Sequence, residues 1–295
     1  MNKRKILHIV LFVIIATSLL ISGCSIGDNS SQQELSRRIK LEGQKNFRDL
    51  GGYENIYGQS TRWRMLFRSG DLYDLTDADL SIVNNLGLRL VIDFRSEEEI
   101  DERPDRLPAG ARSLVDSMNI EGVNELFNNV LQTGDTSQLT VDNIADIYKT
   151  IYTDKIEQFN LMLSEVINNE NRPVLIHCRG GNDRTGFNAA LILHSLQITD
   201  EVIINDYLLS NEYLKDTVEE SLDYFSKTIE QNTGNTPTEE DMERIRNLLE
   251  AKREYMESAF QNVVDKYGTF ENYIVNGLEI AESDIKEFRN QVLVP

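Results

Sequence analysis

The sequence predicts an α/β domain with a central, mainly parallel sheet flanked by helices. Two short stretches rich in Val, Leu and Ile, residues 88–94 and 173–178, are typical of buried strands. Apolar residues recur at helical spacing over residues 140–168 and again over residues 185–196. Strands that alternate with long helices favour a parallel sheet that is covered by helices.

Weaker local signals predict the remaining elements. Residues 62–69 mix apolar and basic side chains and are interpreted as a short strand. Residues 76–87 are predicted to be a helix, because Thr76 can cap its start, Asp79 follows three positions later and Gly87 can end it. Further along the chain, helical patterns dominate the last third of the sequence.

We expect one domain over residues 41–295. No internal repeat and no Gly- or Pro-rich linker divides this range, and the whole chain has only 5 prolines. Residues 212–265 are helical in pattern and highly charged. They are interpreted as an extra helical excursion packed over the domain, and thus as a candidate lid.

The start of the chain has the composition of an export signal. A basic start, MNKRK, is followed by the uncharged run ILHIVLFVIIATSLLI and then by small residues. The run is slightly short for a membrane span, although a plain transmembrane anchor is the alternative. Residues 21–24, ISGC, resemble a bacterial lipobox. The resemblance implies that residues 1–23 are a lipoprotein signal peptide and that Cys24 becomes the lipidated N-terminus.

A lipobox implies a protein that is lipid-anchored at the cell membrane, on the extracytoplasmic face. The modification supplies at least two acyl chains, palmitate among them, which is enough for stable attachment. Residues 24–40 are then the lipidated Cys and a polar tether, because residues 25–40 show no apolar periodicity.

The charge of the chain excludes one large class of partner. With 30 Lys and Arg against 49 Asp and Glu, the formal net charge is -19. Such an acidic body repels phosphate backbones, so we expect no nucleic-acid partner. Acidity also weakens flat electrostatic binding to anionic lipid. Any bound phosphate must be captured locally by a few oriented groups.

The two cysteines do not form a disulfide framework if Cys24 is lipidated, since Cys178 then has no partner. A lone Cys178 is either buried filler or kept for its reactivity. Two cysteines and three histidines without clustering predict no metal site. No cofactor is expected.

The segment VLIHCRGGNDRTG, residues 174–186, joins a predicted strand to a predicted helix. Ligands of open α/β sheets bind at the carboxyl ends of strands, and helix N-termini attract anions. Gly180 and Gly181 would let consecutive N–H groups turn inward. Arg184 can hold two phosphate oxygens at once. The segment therefore predicts a phosphate-binding loop.

Three further side chains of this segment can carry chemistry on a bound phosphate. The positive surroundings of Cys178 favour a thiolate that can attack phosphorus. Asp183 is the nearest acid in sequence that could protonate the leaving alcohol. Thr185 can donate a hydrogen bond to the departing thiolate, whereas His177 is expected to orient the loop. An inert Cys at a strand end is the alternative interpretation.

The stretch HCRGGNDRTG resembles the signature of Cys-based phosphatases, His-Cys-five residues-Arg-Ser/Thr-Gly. Similar stretches lie at residues 46–53 (NFRDLGGY), 66–80, 91–99 (VIDFRSEEE) and 267–280. Together they make the chain similar to the bacterial tyrosine/serine phosphatase family over most of residues 41–290. The resemblance implies the Cys-based phosphatase fold.

This resemblance implies hydrolysis of phosphotyrosine, with phosphoserine and phosphothreonine as further candidate substrates, through a cysteinyl-phosphate intermediate. It makes Cys178, Asp183 and Arg184 the catalytic residues, because the family places its general acid directly before the Arg of the loop. The substrate-binding residues that it implies are Arg179, Gly180, Gly181, Asn182, Thr185 and Gly186.

Two other acids are alternatives to Asp183. Common tyrosine phosphatases carry their acid on a Trp-Pro-Asp loop, but Trp63 is not followed by Pro-Asp. Asp105, in the sequence RPD, is one alternative. Asp93 is another, since VIDFR should end a strand near the site, although it could instead be a structural partner of Arg95.

One position departs from the family pattern. Members that act on phosphoinositides often have Lys where this chain has Asn182, and Arg179 restores only part of that charge. A phosphoinositide or inositol-phosphate phosphatase is therefore the alternative function within enzymes. A catalytically inactive phosphate-binding lipoprotein is the alternative outside them. Arg48 and Asp49 are equally compatible with a structural ion pair and with a loop on the substrate side.

Overall fold

A five-stranded sheet forms the centre of residues 37–295, which are the residues that the computed structural model describes. Its strands are β1 (Arg48–Asp49), β3 (Leu66–Ser69), β4 (Leu90–Asp93), β5 (Arg112–Val115) and β6 (Val174–His177). They lie in the order β1-β3-β6-β4-β5, and β1 alone runs antiparallel to its neighbour. The predicted, mainly parallel sheet is confirmed. Strands β2 (Ser60–Thr61) and β7 (Leu293–Val294) pair separately, antiparallel.

Helices cover both faces of the sheet. The helices are α1 (Asp77–Asn84), α2 (Glu97–Glu102), α3 (Glu121–Thr133), α4 (Val141–Tyr148), α5 (Ile151–Asp154), α6 (Ile156–Ile167), α7 (Asp183–Ser195), α8 (Asp200–Tyr213), α9 (Lys215–Thr233), α10 (Glu239–Leu249), α11 (Arg253–Tyr267), α12 (Phe270–Asn272) and α13 (Glu282–Val292). A 3₁₀ turn at Asn169–Asn171 and a π-helical turn at Tyr273–Gly277 are also present in the described part of the chain.

Alternate strand residues supply two hydrophobic clusters, as the pleat of a sheet covered on both faces requires. Ile92 and Ile176 point to the larger cluster, which most of the helices build. Val91 and Leu175 point to the smaller one, where α1 contributes Val83. Strands buried on both faces explain why the sequence showed continuous apolar runs there.

The predicted helices are present with adjusted limits. Helix α1 begins after Thr76, whose side chain accepts from the Asp79 amide while Asp79 returns a bond to the Thr76 amide. This reciprocal capping satisfies two backbone donors that would otherwise be unpaired. The helical pattern of residues 140–168 is divided into α4, α5 and α6, because the backbone leaves helical geometry at Thr150 and Lys155.

The charged helical range 212–265 is only partly an excursion. Helix α9 packs on α3 through Phe225 and Phe127, whose ring centroids are 4.8 Å apart. All three helices of this range reach the larger cluster, α9 with Phe225, α10 with Ile245 and α11 with Tyr255, Met256 and Phe260. The apolar faces of these helices therefore contribute to the core, while their charged faces point to solvent. A lid role for α9 and α10 stays a prediction.

The compact unit starts at Arg37, four residues before the predicted boundary. Residues 37–40 are not tether, since Arg37 stacks 3.6 Å from the Tyr53 ring centroid and the Ile39 amide donates to Phe47. The predicted signal peptide, Cys24 and the rest of the predicted tether lie outside the described residues. Among residues 37–295, no helix combines the length and apolarity that membrane crossing needs.

A buried acid follows the edge strand β5. The Asp116 carboxylate is almost fully enclosed, and its Oδ2 has no hydrogen-bond partner among the described residues. Burial raises the pKa of Asp116 to about 7. Because this value exceeds that of the unfolded chain, the neutral acid stabilises the fold at low pH. That stabilisation is lost as the pH rises through the folded-state pKa.

We expect Asp116→Asn to stabilise the protein more at pH 8 than at pH 5. The amide removes the cost of burying a charge, and the gain at pH 8 should exceed that at pH 5 by about 2–3 kcal/mol. Chemical denaturation at both pH values measures it. Asp146→Asn, at an exposed position of α4, is the control. Equal gains from Asp116→Asn at both pH values would contradict the raised pKa.

Candidate active site

The loop that the sequence singled out lies at the carboxyl end of the central strand. Strand β6 is flanked by β3 and β4, which run parallel to it, and His177 is level with Ser69 and Asp93. Cys178 follows directly, is 3% exposed and forms no disulfide. Helix α7 then begins at Asp183. Strand, loop and helix therefore have the predicted arrangement.

The carbonyl groups of this loop are held from outside. The amide of Asp71 donates to the Arg179 carbonyl over 3.0 Å. The side-chain amide of Asn46 donates to the carbonyls of Gly180 and Gly181 over 3.2 and 3.0 Å. Carbonyls that bond outward turn the peptide N–H groups toward the inside of the loop. This is the geometry of a backbone anion site.

Arg68 fixes the end of the loop and ties it to helix α8. One of its terminal nitrogens donates to the carbonyls of Gly181 and Asn182 over 2.9 and 3.3 Å. The other lies 2.6 Å from a carboxylate oxygen of Asp206. Arg48 binds the second Asp206 oxygen over 3.0 Å, and all three side chains are buried. Burial would raise the pKa of Asp206, but the two guanidinium groups hold it well below its usual range.

The alternatives for Arg48 and Asp49 are thereby decided in favour of structural roles. Arg48 pairs with Asp206, whereas the Asp49 carboxylate accepts from the amides of Gly51 and Arg64 over 2.8 Å each. Arg48 thus supports the loop through Asp206, whereas Asp49 fixes the turn after β1, and the two residues do not pair with each other.

Only one of the two loop glycines is required by the backbone. Gly181 has φ of 72°, and a Cβ there would lie 2.4 Å from the backbone of Ser69. Gly180 has open space around it, so its lack of a side chain leaves room above the loop. Within residues 37–295, the amides of residues 179–182 donate no hydrogen bond. They are thus available to an anion.

Arg184 is clamped by an acid that the sequence analysis missed. Its two terminal nitrogens lie 2.6 and 2.8 Å from the two carboxylate oxygens of Glu99. Glu99 in turn accepts from the Ser96 amide over 3.0 Å, as part of the capping box of α2. Burial would lower the pKa of Arg184, but the hydrogen bonds and the charge of Glu99 raise it. The pattern Ser96-x-x-Glu99 was a readable sign of this helix start.

We expect Glu99→Gln to lower kcat toward a phosphomonoester by up to about 100-fold, because a guanidinium displaced by an ångström no longer fits the reacting phosphate. KM and thermal stability should change much less, which identifies Glu99 as a positioning residue. Glu102→Gln on the same helix is the matched control, since Glu102 is exposed and its salt bridge within residues 37–295 is with Arg179, over 3.3 Å. Equal losses in both variants would refute the assigned role.

Asp183 lies beside the loop in a half-buried position. Its Oδ1 accepts from the hydroxyl of Tyr207 over 3.0 Å. Burial raises the pKa of Asp183, although hydrogen bonds from Tyr207 and Tyr148 oppose the shift. Asp183 and Arg184 share a cavity of about 270 Å³ with Tyr148 and Ile120. An acid that keeps its proton to higher pH, next to a cavity, has the properties of a proton donor.

The two alternative acids, Asp93 and Asp105, belong to a buried ionic network instead. Arg95 lies 2.7 Å from Asp93 and 3.0 Å from Asp105. Nε2 of His177 is 3.2 Å from Asp105 and Nδ1 is 3.3 Å from the Cys178 carbonyl oxygen. Burial would raise the pKa of Asp105, but the hydrogen bond with His177 lowers it and keeps this carboxylate ionised. His177 thus contacts both the ionic network and the start of the loop, and its role in orienting the loop stays a prediction.

The same network contains the one group of possible metal ligands among the described residues. Ligand atoms of Asp93, Asp105 and His177 lie within 4.8 Å of one another. Arg95 already binds both carboxylates, so their charge is neutralised by a cation of the chain itself.

The remaining predicted substrate residues divide into two groups. Thr185 is fully buried, and its hydroxyl has no partner within the described part of the chain, which leaves it available to the Cys178 thiolate. Asn182 is also buried, with an unpaired Oδ1 among the described residues. Gly186 instead serves packing, since a Cβ there would lie 2.7 Å from the Tyr207 ring.

Known proteins resemble this chain over most of its length. It is 29% identical over 281 residues to the triple specificity protein phosphatase PtpB of Mycobacterium tuberculosis, covering 86% of this chain and 98% of that protein. A tyrosine-protein phosphatase of Nostoc commune is 28% identical over 148 residues, which are 50% of this chain and 49% of that protein.

A solved structure was also matched, the core catalytic domain of a PP-IP phosphatase from S. cerevisiae in complex with citrate. It is 15% identical, with a TM-score of 0.33, and the match covers 58% of this chain and 78% of that one. The sequence model of the tyrosine phosphatase family matches residues 39–294. A match of this extent shows that the chain belongs to the tyrosine phosphatase family and is a phosphatase enzyme.

Proposed function

We propose that this chain is an exported, lipid-anchored phosphatase that hydrolyses phosphotyrosine through a cysteinyl-phosphate intermediate, with phosphoserine and phosphothreonine as further substrates. The observation that carries the proposal is the loop whose carbonyls bond outward, with Cys178 at its start and the clamped Arg184 at its end. Two of the relatives, a triple specificity protein phosphatase and a tyrosine-protein phosphatase, have names that support the same chemistry.

In the first chemical step, the Cys178 thiolate attacks phosphorus and the bond from phosphorus to the ester oxygen breaks. The loop amides and Arg184 hold the other phosphate oxygens as charge develops on them. Asp183 gives its proton to the departing phenolate oxygen. The products are a cysteinyl phosphate and a free phenol.

In the second step, water attacks the phosphorus of the cysteinyl phosphate. Asp183, now ionised, takes a proton from this water, and the sulfur–phosphorus bond breaks to give inorganic phosphate. The buried hydroxyl of Thr185 is available to donate a hydrogen bond to the thiolate that is released. The enzyme returns to its starting state with no change in protonation.

One part of the cavity lining suits an aromatic ester, whereas Ser96, Asn119 and Asn124 make the rest of the lining polar. Ile120, Val123 and Tyr148 line it beside Asp183 and Arg184, so an apolar ring can pack where the proton donor lies. The alternative substrates, phosphoinositides and inositol phosphates, carry several phosphates and need further cations at the loop. Asn182 supplies none, and Arg179 is paired with an acid.

Steady-state assays test the substrate class. The full-length chain in detergent is measured against a panel of phosphopeptides, phosphoinositides and inositol phosphates. We expect kcat/KM to be highest for phosphotyrosine peptides. A higher value for phosphoinositides or inositol phosphates would establish the alternative enzyme function, and no turnover of any ester would establish an inactive phosphate-binding lipoprotein.

Replacement of Cys24 tests the anchor. Cys24→Ala removes the acylated sulfur, so we expect either release of the protein from membranes or an unprocessed precursor that is still held by residues 6–21. Mass spectrometry of the native N-terminus distinguishes these outcomes. Wild-type protein with an unmodified Cys24 would eliminate the lipoprotein assignment while leaving the phosphatase activity unaffected.

A further inference from the structure

The chain enters the compact unit at the end of the sheet that lies away from the catalytic loop. The backbones of Arg38 and Arg48 form an antiparallel β-bridge, and the Arg37 side chain donates to the Asp49 carbonyl over 3.2 Å. Strand β1 runs antiparallel to β3, so the step from Arg48 to Asp49 leads toward the amino ends of β3 and β6. The catalytic loop follows the carboxyl end of β6. Arg37 therefore lies toward the opposite end.

Exposed apolar side chains are found next to this point. The hairpin of residues 53–61 exposes 60% of Ile56 and 68% of Tyr57, and Trp63 just beyond it is 40% exposed. The Arg37 guanidinium stacks 3.6 Å from the Tyr53 ring centroid and 5.3 Å from that of Trp63. The hairpin base and the start of the compact unit are therefore in direct contact.

The position of the hairpin relative to the active site follows from helix α7. The amide of Ile56 donates to the carbonyl of Gln197 over 3.1 Å, just beyond the end of α7. The other end of this 13-residue helix starts at the catalytic loop. A helix of this length spans about 20 Å, so the Ile56 end of the hairpin lies about that distance from the start of α7. The base of the hairpin lies closer to the loop, since the Tyr53 hydroxyl donates to Asp206 over 2.8 Å.

Charge distinguishes this region from the rest of the acidic chain. Residues 37–65 contain seven basic and three acidic side chains, or five against two without the buried Arg37, Arg48 and Asp49, whereas the whole sequence has 30 against 49. Arg62 and Arg64 flank Trp63, are exposed and form no salt bridge with any described residue. Aromatic side chains beside basic ones are typical of membrane interfaces. Glu54 is the one acid on the hairpin.

We propose that Ile56, Tyr57, Arg62, Trp63 and Arg64 form a docking face that lies on the membrane surface to which the chain is anchored. The proposal rests on the lipid anchoring proposed above. Each contact is weak, but the anchor keeps the face at a high effective concentration near the bilayer. The occupant is the lipid surface, with Ile56, Tyr57 and Trp63 at the headgroup level and the two arginines against lipid phosphates.

Docking in this orientation determines which substrates the enzyme reaches. The catalytic loop then opens away from the bilayer, about 20 Å from the Ile56 end of the docking face. Phosphoinositide headgroups in the same membrane are out of its reach. The enzyme is therefore positioned for phosphorylated proteins and soluble phosphomonoesters on the outer side of the membrane, rather than for lipids.

The single tryptophan of the chain makes the proposal directly testable, since all Trp fluorescence comes from Trp63. The full-length lipidated protein is reconstituted in phosphatidylcholine–phosphatidylglycerol vesicles with lipids that are brominated near the headgroup. We expect Trp63 emission to move to shorter wavelength and to be quenched by bromine. Both effects should be weaker in detergent micelles that contain no brominated lipid.

Variants of exposed residues give the matched comparison. Ile56→Ser combined with Tyr57→Ser should lower the ratio of docked to undocked protein at least about tenfold, because two apolar side chains lose their contact with lipid. Quenching of Trp63 should fall accordingly. Tyr224→Ser, at a position on α9 that is 56% exposed, should leave quenching unchanged.

Three results would overturn the proposal, and each has a distinct meaning. Vesicle-bound protein with unquenched Trp63 would show that the anchor is present and the face does not dock. Protein that does not float with vesicles would refute the anchoring and the docking together. Faster hydrolysis of a phosphoinositide in the same vesicles than of a soluble phosphotyrosine peptide would contradict the orientation, whereas no turnover of either would refute the phosphatase assignment alone.

Discussion

Replacement of Cys178 by serine is expected to abolish turnover and to leave phosphate binding intact. A serine hydroxyl in this loop is a far weaker nucleophile than a thiolate, and loss of a covalent nucleophile lowers kcat on the order of 10⁴–10⁶-fold. The groups that hold phosphate are elsewhere. They are the loop amides and Arg184, whose positions depend on Asn46, Arg68 and Glu99.

Two measurements check this result. Steady-state assays with a phosphotyrosine peptide give kcat. Calorimetric titration with inorganic phosphate gives the affinity of the loop for phosphate. Cys24→Ser is the control, since it replaces the other cysteine of the chain and should not change kcat in detergent. Turnover by Cys178→Ser at a wild-type rate would exclude the covalent mechanism. Lost phosphate affinity would show that the sulfur itself shapes the loop.

The local geometry of the candidate active site was predictable because its chemical groups are contiguous in sequence. A strand, a loop with two glycines and a helix start are local patterns, and they place Cys178, Asp183 and Arg184 in one turn of chain. The distinction between the glycines was not predictable. Gly181 cannot carry a side chain because a Cβ would collide with the backbone of Ser69, and Ser69 lies on another strand.

The groups that hold this loop in shape could not be assigned from the sequence alone. Asn46, Arg68 and Glu99 reach the loop from the segment before β1, from β3 and from α2, and only the order of strands in the sheet brings them there. Their sequence separations from the loop exceed 80 residues. A charged residue in a strand or helix start is equally compatible with a solvated surface. Which side chains contact the loop is therefore decided by the arrangement of strands and helices in the folded chain.

Contacts between distant parts of the chain also decide how the charged helices pack and what the two alternative acids bind. Helix α11 looks like a charged surface helix, yet its apolar stripe of Tyr255, Met256 and Phe260 completes the core. Charged residues on the solvent side of an amphipathic helix do not reveal whether the other side is central or peripheral. Similarly, Asp93 and Asp105 had suitable positions for an acid, but Arg95 and His177 bind them in the folded chain.

The pH dependence of catalysis should identify the general acid. Burial raises the pKa of Asp183, so its protonated form persists to higher pH than that of an ordinary aspartic acid. The acid form is lost as the pH rises through this pKa, and the basic limb of the rate profile should report that loss. Asp183→Asn should flatten the basic limb. The acidic limb, which reports ionisation of nucleophile and substrate, should persist.

The leaving group supplies the sharper test of Asp183→Asn. General acid catalysis is worth about 10²–10⁴-fold, and we expect a loss of that size for esters with basic leaving groups. An aryl phosphate with a very acidic phenol departs without a proton, so its rate should fall much less. Asp93→Asn and Asp105→Asn are controls that should lose stability through their buried partners and show no dependence on the leaving group. If either control shows that dependence and Asp183→Asn does not, the proton donor lies outside the phosphate loop, and the raised pKa of Asp183 reflects burial without a role in catalysis.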